Sequence, residues 1–374
     1  MYFTIGNLSP EFRSKVENIL LAALILDANL KPTEEEILSG VDKFEQTLRF
    51  LIKDLKNLKS TGILIDGELF PVCFLFCTAD NLGANQLGSF IQSFLGHCCR
   101  FCTISMKEFK DNPFQSRELR NPENYDQSVR LAKVEWEKLK ETSISFQTRR
   151  REIQAAQKAA GQEVKKEVSS SKVSKSALKK IQAVNHQGVK YFPSVLNQIP
   201  GFHVCQNGLP SCLAHDIFEG VADIILAKIL EHFIEEKKWF SLQTLNRRIG
   251  SFKYKGKDLT DAPSKIKSLD NISGSAVETW TLIRLLPFLI EDLVQDKDDQ
   301  YWQLYLSLKS ITESVCAPKI SKKQVAYLQP AINSFLSTLK SLLPECLTPK
   351  AHFLSHYPAQ ILIFGPLIRL WTMR

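Results

Sequence analysis

Two short stretches of this chain hold side chains whose types and spacing could do chemistry. Asp80 lies in Cys77-Thr-Ala-Asp80-Asn-Leu-Gly83, directly after the apolar run 69–76, which places its carboxylate at the end of a predicted buried strand. Carboxylates at strand ends hold divalent cations in nucleotidyl-transfer enzymes, where the ions activate water and stabilise the leaving oxygen. An Asp before Asn-Leu-Gly suits a turn equally well, and Asp66, in an Asp-Gly pair, reads as a turn residue only. Further on, Cys99-Arg-Phe-Cys102 has the two-residue gap that suits a metal tetrahedron, although two thiols packed in an ordinary core give the same pattern. One such pair is half a zinc site and demands two more ligands. The close histidine pair, His352-Phe-Leu-Ser-His356, puts both imidazoles on one helix face, as two zinc ligands require. Cys73, Cys77, Cys205, Cys212, Cys316 and Cys346 show no comparable spacing and read as core or surface thiols.

A third cluster is Leu209-Pro-Ser-Cys-Leu-Ala-His215-Asp216-Ile-Phe-Glu219-Gly220. It reads as the opening of a helix, with His215 and Glu219 one turn apart and the acids favoured by the helix dipole. Capping accounts for these residues; a place beside a catalytic pocket is the other reading. The chain has no glycine-rich phosphate loop, no Gly-x-Ser-x-Gly elbow and no His-Glu-x-x-His, so kinase, hydrolase and zinc-protease chemistry lack support.

The elements that must position these groups are mixed. Residues 1–8 read as a strand and Ser9-Pro10 as a helix start, with Val16, Ile19, Leu20, Ala23 and Leu24 at helical spacing. A second helix is predicted from Thr33, capped with Glu36, through Leu48 and Leu55 to Gly62. Asp66-Gly67 between two apolar runs signals a hairpin whose second arm leads to Asp80. Helices are predicted around 214–233, 276–294, 301–315 and 323–343. Between the two halves the character changes: residues 133–180 hold thirteen Lys/Arg against six Asp/Glu, nearly the whole basic excess of the chain. Arg149, Arg150, Arg151, Lys165 and Lys166 punctuate this segment, which reads as a solvated helix or linker or as a surface for the DNA backbone.

At 374 residues the chain can bury a substantial core, as two lobes or one domain with an insertion. Its 48 Lys and Arg against 40 Asp and Glu leave +8, which permits nucleic-acid contact without demanding it. Nine cysteines are too sparse for a disulfide scaffold. The opening residues lack a secretory pattern, and apolar runs such as 19–26 fall short of the roughly 20 residues of a membrane span. A reducing, intracellular compartment without membrane attachment is therefore expected. Both ends fall inside predicted regular structure, so the chain is expected to be part of something larger.

With these residues laid out, the chain resembles CACTA-type DNA transposases and the related Mirage, Chapaev and Transib lineages. The resemblance rests on Thr78-Ala-Asp80-Asn-Leu-Gly83 followed by Cys99-Arg-Phe-Cys102, and on Leu209-Pro-x-Cys-Leu-Ala-His215-Asp-Ile-Phe-Glu219-Gly-Val221. It rests also on Pro349-Lys-Ala-His352-Phe-Leu-x-His356-Tyr-Pro358, with Gly365-Pro366 and the block from Trp371. It implies an incomplete RNase H-like α/β core with a large, mostly α-helical insertion. Asp80 would be the second of three catalytic carboxylates, and Cys99, Cys102, His352 and His356 a structural zinc site. His215, Asp216 and Glu219 would be neighbours of the active site, and Arg149, Arg150, Arg151, Lys165, Lys166, Arg247 and Arg248 DNA contacts. The implied organisation is a core over 1–117, a basic segment over 118–185, a helical lobe over 186–345 and a zinc-completing helix over 346–374. An intact parent would use Mg or Mn on three carboxylates, but the first aspartate and the glutamate have no match in the chain, so cleavage is not expected of it. The expected protein is nuclear, associates with DNA, forms a homodimer and takes no small-molecule substrate. The alternative is a domesticated scaffold that binds protein partners through the helical lobe.

Overall fold

A computed structural model describes residues 1–13, 15–92, 96–115, 117–160, 164, 171–270, 272 and 274–371. The chain divides into two compact units: Met1–Phe76 with Asn85–Ser93 and Leu119–Gly208, and Cys77–Ala84 with Phe94–Glu118 and Leu209–Arg374. This partition differs from boundaries at 117, 185 and 345. The basic segment belongs with the first unit, and the CxxC loop belongs with the C-terminal helices.

In the first unit the local signals of the sequence form much of the structure. Thr33 and Glu36 close a reciprocal capping box on helix Glu34–Ser39, which stops at Gly40, a residue with φ 70°. Asp42 caps a separate helix, Lys43–Thr61, so the single helix expected from Thr33 to Gly62 is two. Ile63–Ile65 pairs antiparallel with Glu68–Phe70, across Asp66 and Gly67 with φ 51° and 85°, the positive pair a two-residue hairpin turn requires.

Two expectations fail here. The strand toward Asp80 ends at Phe70, because Pro71 offers no N–H to a ladder, and residues 71–80 form no strand. The helix expected over 16–24 is a single 3₁₀ turn, Val16–Asn18, followed by Leu20–Leu21, which pairs with Tyr2–Phe3. Every residue from 19 to 26 is apolar, and such a run satisfies a strand period as well as a helical one.

Pro122–Ala159 is one helix of 38 residues, capped by Asn121 and Asn124. It packs Ala132 and Trp136 with Ile37, Leu38, Val173, Ile181, Val184 and Tyr191, and the Trp136 indole stacks on Tyr191 at 5.0 Å. Apolar packing thus holds the basic segment over 132–144 and again over 173–184. Among the described residues the three two-stranded ribbons remain separate, and helices hold 61% of the chain; the RNase H-like arrangement stays an expectation of the resemblance.

The second unit is helical. Ala276–Ile290, Gln300–Val315 and Lys322–Leu342 lie where the periodicity predicts them. They bury Leu286, Tyr305, Leu308, Phe335 and Leu336, and the Tyr305 hydroxyl, deep in this core, donates to the Ile283 carbonyl at 2.7 Å. No described helix is long and apolar enough to cross a membrane.

Candidate metal centre

The two histidines are set by a short, tightly wound segment. Thr348 caps helix Pro349–Phe353, with its hydroxyl accepting the Ala351 N–H and Pro349 at the first position, where a missing N–H costs nothing. A 3₁₀ turn, Leu354–His356, then joins it to helix Tyr357–Phe364. This winding keeps His352 and His356 on one face, their Nε2 atoms 3.1 Å apart. The CxxC loop lies against that face in the same unit. Cys102 Sγ is 3.3 Å from His352 Nε2, and Cys99 Sγ is 3.5 Å from His356 Nε2.

All four ligand atoms lie within 4.8 Å of one another, and all four residues are buried. Around a tetrahedral ion with metal–S of about 2.3 Å and metal–N of about 2.05 Å, sulfur–nitrogen pairs stand about 3.6 Å apart and nitrogen pairs about 3.3 Å. The observed separations match that figure to within a few tenths of an ångström. The four side chains thus form a buried group that could hold a metal ion. Both pairs singled out by spacing belong to it.

The surroundings fit a closed site. Phe109 sits edge-on to His352 at 4.9 Å, and Phe101 lies 5.1 Å from His356, so rings exclude water from both imidazoles. The Phe101 N–H donates to Cys99 Sγ at 3.3 Å, which stabilises a thiolate there. Burial pushes the Cys99 thiol up, but the Cys102 hydrogen bond and the charges of His352 and His356 outweigh it and hold Cys99 well below the ordinary thiol range. Cys102 goes the other way, raised by its hydrogen bond to Cys99 and by burial. Burial likewise holds His352 below its ordinary value, favouring the neutral imidazole a metal needs. On its outer side His352 Nδ1 meets Arg117 Nη1 at 2.9 Å. A guanidinium only donates, so in this arrangement Nδ1 accepts and the neutral ring carries its proton on Nε2, facing the sulfurs. For Nε2 to ligate an ion, that proton must leave or move to Nδ1 and Arg117 must turn away.

Asp80 is exposed and does not end a strand. It starts helix Asn81–Leu87, with its Oδ1 accepting the Gly83 N–H at 2.6 Å and its carbonyl the Ala84 N–H at 2.8 Å. The third cluster separates. His215 and Glu219 face each other at 3.8 Å with partial exposure, and His215 Nδ1 lies 3.1 Å from Cys212 Sγ. Asp216 is fully buried and caps nothing. The helix expected there forms, but it opens as a π-helical stretch, Ala214–Val221, broken at Glu219 (φ −101°, ψ 21°), before continuing as Ala222–Glu231. The freed Glu219 carbonyl accepts Lys350 Nζ at 2.7 Å.

Gly220 makes room for that lysine: a Cβ there would overlap Lys350 Cδ and lie 3.1 Å from the His215 carbonyl oxygen. Gly220→Ala is therefore expected to cost about 1–3 kcal/mol, and adding Lys350→Ser should return part of it. Urea denaturation of the two variants checks this.

Sequence reasoning missed the partners of Asp216. Its Oδ1 accepts Asn81 Nδ2 at 2.6 Å and its Oδ2 the Tyr357 hydroxyl at 3.1 Å. Asn81 Oδ1 in turn accepts Arg100 Nη1 at 2.9 Å. Burial raises the Asp216 carboxyl above its ordinary range, against the pull of Arg100, Asn81 and Tyr357. An arginine inside a CxxC loop was the one signal available.

The basic residues divide by environment. Arg149 and Arg150 are exposed on the long helix, whereas the Arg151 guanidinium donates to the Ser171 carbonyl. Lys165 and Lys166 lie outside the described residues. Arg247 is exposed in the other unit. Its neighbour Arg248 forks onto Asp292, with Nη2 2.8 Å from Oδ2, and also donates to the Leu289 carbonyl. Arg248 thus ties helix Leu242–Ser251 to the end of helix Ala276–Ile290 while its side chain stays partly exposed. Compared with known proteins, the chain matches no family model and no curated protein.

Proposed function

We propose that this chain derives from the RNase H-like core of a CACTA-type DNA transposase, carries a structural zinc ion, and associates with DNA without cutting it. One observation carries the reading: two thiols and two imidazoles, 250 residues apart in sequence, meet in a single buried group. Two sulfurs and two nitrogens in tetrahedral array suit zinc, and a group with four protein donors and no open position suits a structural ion. The same residues mark both ends of the resemblance to the transposases.

In this reading Asp80, exposed at the start of helix Asn81–Leu87, is a cation-binding carboxylate of the ancestral site. Productive two-metal chemistry with Mg or Mn needs further carboxylates. The polypeptide by itself is therefore expected to show no cleavage or strand transfer with Mg²⁺ or Mn²⁺; turnover that vanishes in Asp80→Ala would overturn this.

DNA association is assigned to Arg149 and Arg150, with Lys165, Lys166 and Arg247 as further contacts, in a nuclear protein whose partners are DNA and a second copy. Affinity for duplex DNA is expected to fall steeply with salt. Arg149→Ala with Arg150→Ala should make the log–log slope shallower by about 1.8, the signature of two lost phosphate contacts. A slope near zero, together with salt-insensitive capture of a protein partner, would favour the scaffold reading instead.

A further inference from the structure

Each half of the metal group is followed directly by a residue that enters the same buried network. After Cys99 comes Arg100, which is 2% exposed. It donates Nε to the Leu209 carbonyl, Nη2 to the Pro210 carbonyl and Nη1 to Asn81 Oδ1, at 3.2, 3.2 and 2.9 Å. After His356 comes Tyr357, whose hydroxyl donates to Asp216 Oδ2. Asn81 joins the two, accepting from Arg100 and donating to Asp216. Asn81 is also the residue after Asp80, the start of the helix.

We infer that this network couples ion occupancy to the first turn of helix Asn81–Leu87, with Asn81 as the positioning residue that holds Asp80. The inference rests on the metal half of the function proposed above and not on DNA binding. A bound ion fixes the backbone at Cys99 and His356, and with it the origins of the Arg100 and Tyr357 side chains. A guanidinium fork reaching three acceptors tolerates little displacement. If the loop shifts, a buried carboxylate and a buried amide lose partners together, so the network is held or released as a unit. The Asp80 cap then follows the state of the ion.

The test uses the full chain, zinc-loaded and chelator-stripped, with hydrogen exchange read at Gly83 and Ala84, the two amides bonded to Asp80. Leu308, in the middle of helix Gln300–Val315, is the reference. Stripping should lower protection at Gly83 and Ala84 about tenfold more than at Leu308. Loaded Asn81→Ala, with its tetrahedral cobalt(II) spectrum intact, should show the same local loss and no further response to chelator. Because coupling is reciprocal, its zinc affinity should fall by a similar factor. Leu308→Ala, a core truncation outside the network, should lower global stability while leaving the zinc response of Gly83 and Ala84 in place. Equal loss at Gly83, Ala84 and Leu308, or wild-type protection and zinc affinity in Asn81→Ala, overturns the inference. If stripping unfolds the whole chain, the comparison of loaded wild type with loaded Asn81→Ala decides alone. A wild-type chain that takes up neither zinc nor cobalt removes the metal reading and this inference together, whereas one that binds both ions but fails the exchange comparison removes only the coupling.

Discussion

Cys99→Ser combined with Cys102→Ser is expected to abolish the tetrahedral cobalt(II) spectrum and to destabilise the unit that contains the C-terminal helices by about 5 kcal/mol. The magnitude follows from treating the ion as a cross-link: closing a loop of 250 residues removes about 5 kcal/mol of chain entropy from the unfolded state. Structural zinc in small peptides is worth about 10–16 kcal/mol in apparent binding, so loop entropy gives the lower figure for a unit with an apolar core of its own. Guanidinium denaturation with and without chelator, followed by tryptophan fluorescence, measures the difference. An unchanged midpoint in wild type after chelation would sink the structural role.

Acid should act in the same direction. Burial places the folded value of His352 below its ordinary 6.5. The unfolded chain therefore binds the proton first, and the stability present above pH 6.5 is lost as pH falls toward the folded value. Protons also displace the ion from thiolates and imidazoles, so retention of the metal should fail over the same descent. Zinc release followed against pH with a colorimetric chelator reads this directly.

Asp216→Ala is expected to cost about 3–5 kcal/mol, as is Arg100→Met, because each leaves the other charge buried without its counterpart. The two charges do not touch; Asn81 carries the link between them, its amide donating to the carboxylate and its carbonyl accepting from the guanidinium. The double variant Arg100→Met with Asp216→Leu should cost markedly less than the sum of the singles, since it removes both charges and leaves an apolar pair. Strict additivity in urea denaturation would mean that the two residues act separately and that Asn81 bonds them only by proximity. Neither substitution removes a metal ligand, so zinc content distinguishes this effect from loss of the ion.

The local parts of the structure were legible in the residues. Thr33 with Glu36, Asp66 with Gly67, and the apolar spacing of 276–342 each formed the element their chemistry favours, because a cap, a turn or an amphipathic stripe is satisfied within a few residues. Cys99 with Cys102 and His352 with His356 were legible as ligand pairs for a related reason, since each spacing brings two donors together locally. The same spacings occur in ordinary cores and helices, and only the fold joined the two pairs. The run 19–26 was not, because continuous apolarity carries no period. The strand toward Asp80 failed at one residue, Pro71, whose missing N–H outweighs the apolarity on either side.

By itself, then, the sequence determined which side chains could share an ion and where the helices between 276 and 342 begin and end. Only the tertiary structure decided which polar groups are used where. Asp216 reads as a helix-opening acid yet is wholly buried, because its donors arrive from Asn81, 135 residues away, and from Tyr357, 141 residues away. Arg248 reads as a DNA contact yet is spent on Asp292, 44 residues on. Asp80 reads as a strand end yet caps a helix. Short-range hydrogen bonds follow from neighbouring residues, whereas the burial of a charge depends on partners brought by distant segments, and no local pattern of residues specifies those.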